Sequence, residues 1–88
     1  MRLKEMFASR EAKKAKAKFK KAYVAYYKLR DNYDCGEQLF LHISTDGSKM
    51  LRELLGLAQE LIDKDPNAPK ASLERLIGDW KTVLGDAA

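Results

Sequence analysis

Ala12, Ala15, Phe19, Ala22, Tyr26, Leu29 and Tyr33 follow one another at alternating steps of three and four. At 100° per residue they fall in one sector, so the segment reads as a long helix with an a/d seam. Ser9 is placed to cap its start with Glu11 in the first turn, and the pattern runs to about Tyr33. Arg10, Lys13, Lys14, Lys18, Lys20, Lys21 and Lys28 project onto the opposite sector, which gives the helix an apolar seam and a cationic back. The seam is small near Ala12 and Ala15 and aromatic farther on. Close helix approach is expected at one end and a bulky packed layer at the other.

The cationic back dominates the charge distribution. Eleven of the 17 Lys and Arg residues lie in the first thirty positions, opposed there only by Glu5 and Glu11, so this segment carries +9 and the remainder −5, within a net +4. A dense cationic surface attracts phosphate, lipid headgroups or acidic protein faces over a Debye length of about 8 Å. Like charges at i,i+4, as at Lys14/Lys18 and Lys16/Lys20, repel by about 0.2 to 0.5 kcal/mol each, a cost that suggests a use. The counter-expectation is internal neutralisation by the acidic later helices.

Backward extension of the helix puts Leu3, Met6 and Phe7 on the lysine side. A break near Ser9 is therefore expected, leaving residues 1–8 as a short apolar and basic tip. Downstream, Asp34 and Glu37 have the spacing of a capping box, and a second helix is expected from there. The short apolar stretch 38–43 would also suit a buried strand, but no second strand candidate exists to pair with it. Ser44 to Ser48 concentrates turn and capping residues. Met50, Leu51, Leu54, Leu57, Ala58, Leu61 and Ile62 then repeat at helical spacing, so a third helix is expected from about Ser48 to Lys64. Asp65-Pro66-Asn67-Ala68-Pro69 stops it. The last helix, roughly Pro69 to Leu84, has Leu73, Leu76, Ile77, Trp80, Val83 and Leu84 on one face, and Gly85 is expected to end it.

The expected fold is all-α: a small bundle of three to four helices in one domain over 1–88, with a long basic amphipathic N-terminal helix. It divides into a tip (1–8), a long helix (9–33), a segment broken near 44–48 (34–64) and a C-terminal helix (69–85). An 88-residue chain has room for one modest core. Self-association is therefore expected to help, through a homodimer along the helix-one seam if the monomer does not consume it.

Little in the sequence points to catalysis. His42 and Cys35 are the sole residues of their types, and no metal-ligand spacing occurs, so no metal and no cofactor are expected. A Cys35/His42 nucleophilic pair is weighed against a packing cysteine and a surface histidine, and the second reading is preferred. Asp63/Asp65 and Asp31/Asp34 sit at helix ends, where capping and turn roles account for them better than acid–base chemistry. The isolated glycines form no phosphate loop. The single thiol favours a reducing, cytoplasmic setting over an intermolecular bridge. No apolar run reaches the roughly 18 to 20 residues of a membrane span, and the start lacks a secretory apolar region. A transit-peptide reading ranks low, because Lys outnumbers Arg and the segment runs straight into the periodic helix.

The expected function is a small non-enzymatic binding protein whose basic helix engages an anionic partner, foremost nucleic-acid phosphate without sequence preference. Lys rather than Arg dominance favours phosphate contact over base readout. Tyr23 and Tyr27, on the margins of the seam beside lysines, are candidates for stacking on bases or for an interface, whereas Tyr26 and Tyr33 belong to the core. The alternative is a protein-interaction module, an inhibitor, adaptor or assembly factor, gripping an acidic protein surface through Leu3, Met6 and Phe7 and the basic/Tyr face. A helix lying on an anionic membrane surface is a weaker third, because the seam is needed for packing.

Overall fold

The computed structural model describes the backbone of residues 3–87 and the side chains of residues 10–85. Four helices follow one another, α1 (Leu3–Asp31), α2 (Glu37–Ile43), α3 (Thr45–Lys64) and α4 (Lys70–Ala87), with no strand among the described residues. The fold is a small all-α bundle, 49 × 21 × 16 Å along its principal axes. At 1.5 Å per residue the 29 residues of α1 span about 43 Å, so this helix sets the long dimension.

The break expected at Ser9 is absent: α1 passes through it without interruption. Neither Gly nor Pro occurs between Leu3 and Asp31, and a lone serine costs a helix interior only about half a kcal/mol. The tip side chains of Leu3, Met6 and Phe7 lie outside the described residues. At its other end α1 closes in a tighter turn, with the amides of Asn32 and Tyr33 donating to the carbonyls of Leu29 (3.1 Å) and Arg30 (3.0 Å).

The Asp34 capping box does not form. The residue before α2 is Gly36, which offers no side-chain cap. Glu37 turns instead toward α1, where its Oε2 lies 3.4 Å from Arg30 Nε. The segment 38–43 is helical, not a strand. It buries Phe40 and Leu41 and leaves Leu39 and Ile43, one turn apart, in solvent.

α3 begins three residues earlier than its apolar period indicates, because Ser44 rather than Ser48 is the cap. Ser44 Oγ accepts from the Gly47 amide at 3.1 Å. Ser48 Oγ then donates to the Leu41 carbonyl at 2.6 Å, pinning the α2–α3 corner. Gly47 is buried under Phe40: a Cβ there would stand 2.6 Å from Phe40 Cζ. The Phe40 ring has no exposed surface and packs against Tyr26 and Tyr33, with centroids 5.9 and 4.8 Å away, so it has little room to yield. Gly47→Ala is accordingly expected to destabilise the fold by about 1 to 2 kcal/mol, overpacking outweighing the helix-propensity gain. Gly56→Ala, where a Cβ meets nothing within 4 Å, is expected to stabilise by about 0.5 to 1 kcal/mol. Urea denaturation of the two variants should show opposite signs.

Asp65 and the prolines end α3 as expected, and the Pro69 carbonyl accepts from the Leu73 amide at 3.0 Å to open α4. α4 continues through Gly85 to Ala87 rather than stopping there. Gly85 has no positive φ, so it is an ordinary helical residue and not a cap.

α1 packs along α3 and α3 along α4, while α2 closes one end against α3 and α4. Glu11 meets Lys64, the last residue of α3, and Ala15 is buried with Leu61 and Leu73, so both neighbouring pairs run antiparallel. The small Ala15 permits close approach at this end. At the other, Tyr26, Phe40, Leu51, Leu54, Ala58, Ile77, Trp80 and Leu84 form the main core. Every residue of the α1 seam is buried or half-buried. The seam on which a homodimer was expected is thus used within one chain.

Candidate functional site

With its seam turned inward, α1 presents the rest of its circumference to solvent. Arg10, Lys13, Lys14, Lys16, Lys18, Lys20, Lys21 and Lys28 are all exposed. By helical projection they cover an arc of roughly 200° around the rod. Direct ion pairing neutralises little of this surface among the described residues. The ion pairs between described residues are Arg30–Glu37, Lys64–Glu11, Lys64–Glu60 and Lys70–Glu74, and none uses a lysine of α1. On α3, the Glu60 carboxyl is held below its usual range first by the hydrogen bond from Lys64, at 2.9 Å, with Lys18 a minor contributor. Glu60 is thus taken by a lysine of its own helix. Along the middle of the back, Ala17 and Val24 break the lysine field, and Val24 is 50 % exposed.

The aromatic residues divide as the seam predicts for Tyr26, which is fully buried, and Tyr33, which is half-buried over Phe40. Tyr23 and Tyr27 are half-buried, 4.6 Å apart. They face different surroundings. Tyr27 meets Tyr26 edge-on at 5.0 Å and lies beneath the Arg30 guanidinium at 5.9 Å. Tyr23 extends toward α4, reaching Phe19 at 5.8 Å and Trp80 at 6.4 Å.

Among the described residues, grooves lie on both sides of α1. One, of about 420 Å³, opens between α1 and α4, which both rest on α3; Phe19, Tyr23, Leu73 and Leu76 line it, with Lys16 and Lys20 on the α1 bank. The other, of about 340 Å³, lies between α1 and α3, with Ala22, Ala25, Met50 and Leu57 below and Lys18, Lys21 and Glu53 at its edge. The structure therefore brings Tyr23 together with Lys20, two of the sequence-derived site residues, and adds Lys16, Leu73 and Leu76. Tyr27 is not part of either groove lining.

The Tyr26 hydroxyl is buried and has no hydrogen-bond partner among the described residues. Burial, then the Glu37 carboxylate, raise its pKa far above the ordinary phenol value. A raised folded pKa means stability is intact below about pH 10 and falls as pH climbs from there toward the folded value. Tyr26→Phe removes an unsatisfied buried group at little cost in shape. The variant should be as stable as the unmodified chain or more so at pH 7, and should lose less stability above pH 10 in urea titrations.

Two of the remaining carboxylates make local contacts. Asp65 Oδ1 accepts from the Asn67 amide at 2.9 Å, a turn contact, and Asp63 Oδ1 accepts from Gln59 at 3.3 Å. Cys35 is a half-buried thiol against the core, and His42 is exposed on α2. Among the described residues no group of three His, Cys, Asp or Glu side chains could hold a metal ion, and no helix is long and apolar enough to cross a membrane. No protein-family model, curated protein or solved structure matches this chain.

Proposed function

We propose that this chain is a non-enzymatic binding protein whose α1 back holds nucleic-acid phosphate without reading sequence. One observation carries the proposal: the exposed cations from Arg10 to Lys28 have no carboxylate within ion-pair distance among the described residues. A row of ammonium groups left unpaired by folding is available to displace counterions from a phosphate backbone, which drives association. From Arg10 to Lys28 the helix rises about 27 Å, the length of about eight base pairs at 3.4 Å each. Seven of these eight cations are lysine. Lysine contacts phosphate as a point charge and lacks the planar fork that grips guanine, so affinity should vary little with sequence. The lone half-buried thiol is compatible with a cytoplasmic setting.

An acidic protein face is the second reading, favoured by Val24 and Ala17, which place apolar contact inside the cationic field. Fluorescence anisotropy at about 50 mM salt with several unrelated oligonucleotides separates the two. Comparable binding to all of them supports the phosphate reading, and no binding to any overturns it.

A further inference from the structure

The groove between α1 and α4 is built differently from its counterpart on the other side of α1. Its lining includes two aromatic rings, Phe19 and Tyr23, and two leucines of α4, with no carboxylate, and Lys16 and Lys20 stand one turn apart on its bank. The opposite groove has no aromatic ring, and Glu53 sits with its lysines. We infer that the α1–α4 groove seats an unpaired base, so that this chain prefers single-stranded nucleic acid to duplex.

This inference rests on the phosphate reading of α1 and adds the class of nucleic acid. A base is a flat, largely apolar disc attached to an anionic chain, and the groove offers an apolar slot beside a cationic bank. Phe19 and Tyr23 are half-buried, so part of each ring is held by the core and part faces the slot. Rings anchored in this way stack without first losing side-chain freedom. A cavity of about 420 Å³ admits a base with room for its sugar, and its openness to solvent lets the polar base edges stay hydrated. Because the lining has few hydrogen-bonding groups, the slot accepts any base by its face, which agrees with lysine contacts that carry no sequence information. A duplex keeps its bases paired and stacked and can offer only phosphate to the same bank.

The test compares oligothymidylate with a duplex of equal length at one salt concentration. The unmodified chain is expected to bind the single strand more tightly. Tyr23→Leu, which keeps apolar volume in the slot, should lower single-strand affinity roughly 5- to 150-fold and leave duplex affinity unchanged. Because that variant also touches Trp80, a second measurement uses the unmodified chain: Leu73 and Leu76 methyl resonances should shift with oligothymidylate and not with duplex. Equal affinity for both forms, equal loss on both, or leucine methyls that stay still would overturn the groove inference while leaving the phosphate reading intact. Absence of all binding at about 50 mM salt would remove both. Leucine shifts produced by an acidic amphipathic peptide and not by oligothymidylate would also overturn it, in favour of a protein occupant.

Discussion

Reversing the charge of Lys13, Lys14 and Lys18 together to glutamate is expected to lower nucleic-acid affinity by at least about 500-fold at 0.1 M salt. Each phosphate contact contributes about 0.9 to the logarithmic salt dependence, so three lost contacts amount to nearly three decades between 1 M and 0.1 M, before any repulsion from the new carboxylates. The effect on folding should be small. All three side chains are exposed and outside the ion pairs of the described residues, and removing mutual repulsion offsets much of any change. A control triple variant away from α1, Lys49, Arg52 and Lys81 to glutamate, lowers the net charge by the same amount and leaves the α1 row intact. It should bind nearly as well as the unmodified chain. Equal losses in both variants would mean that net charge alone, and not its placement on α1, governs binding.

Trp80→Ala is expected to remove about 3 to 5 kcal/mol of stability. Trp80 is 2 % exposed and shares the main core with Tyr26, Phe40 and Leu54. Truncating a buried Trp costs about that much, through lost burial and the cavity left behind. For a chain of 88 residues, total stability on the order of 0.05 to 0.15 kcal/mol per residue comes to about 4 to 13 kcal/mol. The variant therefore loses a large share of its stability and should unfold at low urea by far-ultraviolet circular dichroism, which does not depend on the missing indole. Trp80→Phe should retain most of it. The same residue braces Tyr23 at 6.4 Å, so loss of Trp80 should also loosen the α1–α4 groove.

The long helix, the inward seam and the outward lysines were legible because a single strong period governs them. Ala15 and Tyr26 are buried and Lys13, Lys20 and Lys28 exposed, as the projection of α1 requires. Boundaries were less legible where two residues compete for one role. Ser44 and Ser48 are both capable caps, and the choice of Ser44 follows from Gly47 fitting under Phe40, a tertiary contact with no local signature. Glu37 could have closed a box with Asp34 but serves Arg30 across the α1–α2 turn. Gly85 resembles a terminator only if the apolar face ends with Leu84, whereas α4 needs no left-handed residue there.

The candidate site was half visible. Lys20 and Tyr23 were evident from α1 alone, but Leu73 and Leu76 belong to a helix fifty residues away. Their contribution depends on α1 and α4 both leaning on α3 and leaving a gap between them. No periodicity within either helix encodes that gap.

The account depends on α1 keeping its ammonium groups free for an external polyanion, and the salt dependence of duplex binding measures this directly. With five to seven of these cations engaged, log affinity against log salt should be linear with a slope of about −4.5 to −6.3. A slope shallower than about −1 would contradict the account, because it would mean that few phosphates are neutralised by this helix.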